Sequence, residues 1–226
     1  LGVEVDRFPT SGTGALAIAG DTNNNNGGGE YRLVITAALV SATTTGLDAT
    51  TGGIVLGANV TSGGTVTVVD STLTLTGDRT INSSGGNGTI SLDEILTDTD
   101  NDHVLTLTAG AGGVTIDDNV GVNGGNVLGG LNITTAGAVQ FTGAAASIDI
   151  GGQQLQIGSG AAVTSATFAG EINSASSATV NANDGISSTA DITLTAGTLT
   201  LDADVDANDN NGTLMLVQQV SKCGLA

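Results

Sequence analysis

Short apolar-x-apolar dyads, each followed by Gly, Asn or Asp, recur along this chain with a period of about 25 residues. The phase passes through Val55-Leu56, Ile81, Leu105-Thr-Leu107, Leu131-Asn-Ile133, Leu155-Gln-Ile157, Val180-Asn-Ala-Asn-Asp184 and Val205-Asp-Ala-Asn-Asp209. A repeat this short is one supersecondary unit that cannot bury its apolar face alone, so neighbouring units must stack. Alternation places both apolar side chains of a dyad on one face and the polar middle residue on the other. Within a period the dyads start about eight residues apart, as in Leu131-Asn-Ile133, Val139-Gln-Phe141 and Ile148-Asp-Ile150, which leaves room for a short strand and a tight corner. Three strands per period predict an all-β fold, a three-sided parallel β-helix with about 25 residues per coil and roughly seven regular coils. Asn87-Gly88 and the Gly pairs at 63–64, 85–86, 129–130 and 151–152 supply residues that tolerate positive φ at corners. Asn-Gly also closes hairpins, but an antiparallel sandwich has no reason to keep one phase along the chain.

The regular solenoid is expected over residues 54–221, with an irregular β region or cap at 1–53 and a tail at 222–226. The first region holds the polar loop Asn23–Gly29 between the strand-like segments Val3-Glu-Val5, Leu16-Ala-Ile18 and Tyr31–Ile35. A second departure, the acidic stretch Asp93–His103, is expected to bulge from a corner. Composition agrees with a thin, layered interior. Aromatics make up only 2% of residues and there is no Trp, whereas a wide globular core would use aromatics as filler. Phe141 and Phe168 fall at inward positions, while Phe8 and Tyr31 lie outside the regular coils. The charged fraction of 12% and the positive mean hydropathy argue against a disordered chain.

Four basic residues stand against 22 acidic ones, for a net charge of -18. Binding to nucleic acid or to anionic membrane surfaces needs clustered positive charge, which is missing here. The longest apolar run, Leu33–Val40, is far too short to span a membrane. Cys223 is the single cysteine, so no intrachain disulfide can form. The chain begins at Leu1 with no basic, apolar leader, and is expected to be a processed product or a piece of a longer chain.

Asp98, Asp100 and Asp102 alternate as carboxylates do in oxygen-rich calcium loops, which makes them candidate Ca2+ ligands. His103 stands where such a loop needs Gly, and Ala109 occupies its final acidic position, so a solvated acidic bulge is the competing reading. The same alternation recurs at Asp202, Asp204 and Asp206. His103 is the only histidine; with no second histidine or metal-binding cysteine beside it, it reads as an exposed loop residue. No catalytic residue and no other cofactor is expected. The last strand, Leu214–Val217, leaves little chain for a cap on the solenoid's open edge. Leu214, Leu216 and Val217 at this end, and Val3 and Val5 at the other, are therefore the expected self-association residues in a head-to-tail contact that does not close.

The phrases Leu105-Thr-Leu-Thr-Ala-Gly110, Leu131-Asn-Ile-Thr-Thr-Ala-Gly137 and Ile192-Thr-Leu-Thr-Ala-Gly197 resemble repeats of filamentous-haemagglutinin-like adhesins and autotransporter passenger regions. The resemblance spans roughly residues 55–217. It implies a secreted bacterial β-helix at the cell surface that acts as a stalk, adhesin or fibre. No amino-terminal secretion domain of that family is recognisable, and no membrane barrel follows Lys222. Together these readings point to a non-enzymatic extracellular structural protein, a homopolymer built by end-to-end stacking. An adhesin binding a glycan or host surface, through Asn23–Gly29 and Asp93–His103, is the alternative. A polysaccharide-cleaving enzyme and an ice-binding protein are weaker ones, the latter resting on runs such as Thr72-Leu-Thr-Leu-Thr76.

Overall fold

The computed structural model describes residues 3–5, 15–19, 32–49, 52–121, 127–143, 147–206, 212–217 and 220–222. The Asn23–Gly29 loop, Phe8, Tyr31 and Cys223 lie outside the described residues. The chain folds as a parallel β-solenoid of about 7 turns with about 24 residues per turn. A single 3-10 turn, Ser84–Gly86, is the one helical element among the described residues. No helix there is long and apolar enough to cross a membrane.

Three faces alternate along the chain. Leu33–Ile35 lies on the first, Leu39–Ser41 on the second and Thr45–Asp48 on the third. The next coil places Ile54–Leu56, Val60–Ser62 and the first half of Val66–Leu75 directly upon them, all parallel. The cause is the dyad pattern. Each short strand turns its two apolar residues inward, so Leu33 and Ile35, Val114 and Ile116, and Leu155 and Ile157 are buried while the residue between them is partly exposed. One continuous column of Leu, Ile, Val and Ala fills the interior. Phe141 stacks directly on Phe168, with ring centroids 5.2 Å apart and planes 15° from parallel, below the small side chain of Ser188 in the same column.

The second face shows where the sequence period slips. Leu39, Val60, Ile81, Leu107, Ile133, Ile157, Val180 and Leu201 stand in register, so successive steps are 21, 21, 26, 26, 24, 23 and 21 residues. The steps come near the expected 25 only in the middle, at 26, 26 and 24. Val55-Leu56 belongs to the first face, not to the column of Ile81, and Val205 lies in an exposed turn, not in a strand. The likeness between the pentapeptides at Val180 and Val205 is therefore not a structural equivalence. Corners of different length absorb the difference, because inward stacking fixes the strands but not the chain between them.

Pairing is continuous through the amino-terminal boundary expected at residue 54: residues 33–48 already pair in register with 54–69, and Val3–Val5 pairs with Leu33–Ile35. At the other end Val220–Lys222 pairs with Ile192–Leu194, one residue into the expected tail. Most of the acidic stretch expected to bulge is strand: Ile90–Asp98 pairs along Val66–Leu75, and a register shift between Asp93 and Ile95 carries it round the corner.

At corners the ladder loses its regular carbonyls, and side-chain acceptors on the preceding coil replace them. Asn59 Oδ1 accepts the Thr80 N–H at 2.9 Å, Asp78 Oδ1 that of Val104 at 2.9 Å, Asn87 Oδ1 that of Ala111 at 3.0 Å and Asn119 Oδ1 that of Ser147 at 2.8 Å. These bonds satisfy donors that would otherwise be unpaired. Glycine is required where corners press together. A Cβ on Gly86 would stand 1.9 Å from the Gly63 carbonyl oxygen, and one on Gly112 would stand 2.2 Å from that of Gly88.

The stacked phenylalanines provide a test of the layered core. Phe168→Ala is expected to lower stability by about 3–5 kcal/mol, since a cavity opens between fixed layers. Gln140→Ala, one residue before Phe141 and exposed, should change it by less than about 0.5 kcal/mol. Denaturant melts followed by circular dichroism check both.

Candidate functional site

The corner that carries the expected calcium ligands is built around Asp98. This carboxylate ends the strand Ile90–Asp98 and its side chain is 0% exposed. The next five residues wrap around it. Oδ1 accepts the Asp100 N–H at 3.3 Å and lies 2.6 Å from Nδ1 of His103, while Oδ2 accepts the N–H groups of Asp102 at 2.8 Å and His103 at 2.6 Å. Both oxygens thus meet two nitrogens each. Asp98, Asp102 and His103 come within 4.8 Å of one another, whereas Asp100 stands outside this group and is exposed. Asp102 is 70% exposed and lies 3.5 Å from His103 Nδ1. A hard cation needs several free oxygens converging on one point. Here both oxygens of the central carboxylate are directed at N–H groups of the corner, and the group whose atoms could share a cation is Asp98, Asp102 and His103, without Asp100. His103 is not the exposed loop residue expected: its ring is 21% exposed and is anchored to Asp98.

The electrostatics of the pair follow from these contacts. The hydrogen bond to Asp98 raises the His103 pKa above its ordinary 6.5, outweighing partial desolvation, and the charges of Asp98, Asp102 and Asp100 add to it. Burial by itself would raise the Asp98 carboxyl. The His103 ring and the His103 and Asp100 N–H groups overcome that effect and hold it below 3.8.

The second feature is the carboxyl-terminal end of the solenoid. Thr213–Leu216 pairs with the second half of Ala178–Ser188 on one side, and no described strand lies on the other. Leu214 continues the buried column of Ile186 but is 47% exposed, and Val217 and Val220 are 60% and 51% exposed. Leu216 is partly buried against the core. At the opposite end Val3 and Val5 lie in register with Leu33 and Ile35. The expected self-association residues therefore fall toward opposite ends of the solenoid but on different faces: Val3–Val5 begins the first face, which ends at Val220–Lys222, and Thr213–Leu216 ends the third, which begins at Leu16–Ala19.

A third feature was missed from the sequence. Charge is sorted between the edges and faces of the solenoid. Asp48, Asp93, Asp117, Asp118, Glu171 and Asp191 all fall at the corner from the third face to the first. The outward column of the second face, Thr80, Thr106, Asn132, Gln156, Thr179 and Thr200, carries no ionisable side chain. The signal was available: these are the middle residues of dyads such as Leu131-Asn-Ile133 and Leu155-Gln-Ile157. The Thr positions do not form an unbroken array, since Asn132 and Gln156 interrupt them.

Comparison with known proteins gives no match: no family model, curated protein or solved structure aligns with the chain at a significant level.

The Asp98–His103 pair sets a pH window. His103 sits above 6.5 when folded. Its contribution is complete below the unfolded value of about 6.5 and disappears as pH rises through the folded value. Asp98 sits below 3.8, so its contribution is complete above the unfolded value of about 3.9 and disappears as pH falls through the folded one. Nuclear magnetic resonance titration of the His103 ring should give a midpoint above 6.5. Asp98→Asn should return that midpoint toward 6.5 and lower stability by about 3 kcal/mol near pH 6.

Proposed function

We propose that the chain is a non-enzymatic extracellular structural protein, a β-solenoid subunit of a surface fibre or stalk that joins copies end to end. The observation that carries this reading is the carboxyl-terminal layer, on whose outer side no described strand lies. A solenoid stabilises each coil by covering it with the next, and a final apolar layer with a free strand edge presents the same demand to a second molecule. Leu214 and Val220 are exposed although the residues beneath them in their columns, Ile186 and Ile192, are buried. The joining partner is the amino-terminal edge, where Val3 and Val5 sit. A heterologous contact of this kind does not close, so it propagates.

Charge supports the same reading. The acidic corner repeats along the length of each molecule, so like charges oppose side-by-side clumping while the ends remain free to meet. The non-enzymatic part rests on the sole histidine, whose Nδ1 is engaged by Asp98 within a structural corner.

Negative-stain microscopy and sedimentation velocity test the proposal. Purified protein should form filaments one solenoid wide that lengthen with concentration. Leu214→Lys combined with Val217→Lys should shift the population to single subunits by charging the joining end, without loss of the strand signal in circular dichroism. Wild-type protein that stays uniformly monomeric at high concentration would overturn the reading.

A further inference from the structure

The second face carries a hollow of about 330 Å3 whose lining is almost entirely neutral and polar. It lies beside Gly130, which pairs with Val104 on one coil and precedes Leu131, the partner of Leu155 on the next. A Cβ on Gly130 would stand 2.8 Å from the Gln153 Cβ and 3.2 Å from the Val104 Cγ2, so glycine is what lets these two lining residues pack over the strand. Asn132 and Gln156, neighbours in the central outward column, line it together with Gln153, Gln154 and Ser176.

The hydrogen-bonding groups here are only half used. Gln156 Nε2 donates to Gln154 Oε1 at 2.6 Å, and Ser159 Oγ donates to Asn132 Oδ1 at 2.6 Å. Among the described residues this leaves Gln156 Oε1, Gln154 Nε2, Asn132 Nδ2 and both ends of the Gln153 amide without a protein partner. A carboxamide offers two donors and an acceptor on one plane, which matches a pair of neighbouring hydroxyls, each both donor and acceptor. The lining has no cation to hold an anionic ligand, and the net charge of -18 repels one.

We propose that this hollow binds a neutral oligosaccharide, with Asn132, Gln153, Gln154 and Gln156 bonding its hydroxyls. The coils on either side carry Thr106 and Thr179 in the same outward column, so a sugar chain can lie along the solenoid across strands spaced about 4.8 Å apart. The described part of the face has no aromatic platform, so recognition comes from hydroxyl contacts and the affinity of one site is weak. The site goes beyond the fibre reading and does not depend on it.

Equilibrium dialysis with labelled neutral hexasaccharides (β-1,4-, β-1,3- and α-1,4-glucans and a mannan) tests the proposal, with trigalacturonate as the anionic control. Dialysis reads binding whether the protein is single or polymeric, so its failure is separate from failure of filament formation. At least one neutral hexasaccharide should bind with a Kd between roughly 10 μM and 1 mM, and trigalacturonate should not bind. Gln154→Ala with Gln156→Ala should weaken binding at least about tenfold, and Gln153→Ala, at an exposed position, should weaken it by about threefold or more. Gln140→Ala on the third face should leave it unchanged. Absence of binding by every neutral hexasaccharide, equal binding of trigalacturonate, or full binding by the Gln153 and Gln154/Gln156 variants would each overturn the proposal.

Discussion

Everything in this molecule depends on one constraint: each coil must present its inward residues at the positions where the coil beneath presents its own. Parallel strands held about 4.8 Å apart leave no freedom to shift sideways, because a slip of one residue turns the apolar set outward. Like often meets like in a column, as Leu131 meets Leu155 and Phe141 meets Phe168, and where it does not, as where Ser188 follows Phe168, the change is taken up within the layers. The interior tolerates little change in size but places few demands on what lies between columns. The outward residues and the corners are consequently where this chain varies.

That division explains what could be read from the amino acids. The dyads of the central coils announced both the strands and the parallel stacking, because apolar alternation is a direct record of which side chains face inward. The amino-terminal coil and the last coil were misphased because their steps are 21 residues and not 25. Nothing local distinguishes a short corner from a long one. The role of Asp98 was illegible for a related reason. Three alternating aspartates look the same whether their oxygens converge on an ion or are enclosed by N–H groups, and only the path of residues 99–103 decides it. The amide wall needed the opposite kind of information. Asn132, Gln154 and Gln156 were visible, but their grouping depends on knowing that Gly130 lies between Val104 and Gln154.

The solenoid also sorts electrostatic character by direction. A line of acidic side chains runs along the corner from the third face to the first, and the central outward column of the second face presents hydroxyls and amides. Such sorting follows from the repeat itself, since any residue type kept at one phase becomes a line running the length of the molecule. An edge that repels its like and a column that is neutral can then coexist within a few strand widths, each with a separate consequence for what approaches it.

The unequal steps along the second face have a geometric result. Its strands lengthen from three residues at Leu39–Ser41 to six at Gly130–Thr135, drop back to three at Leu155–Ile157 and end at four in Leu199–Asp202. A long strand on one coil is thus not inherited by the next, since only the shared inward residues must match. A strand that extends the ladder at either tip meets a seat of nearly the same length, whatever the coils between them do.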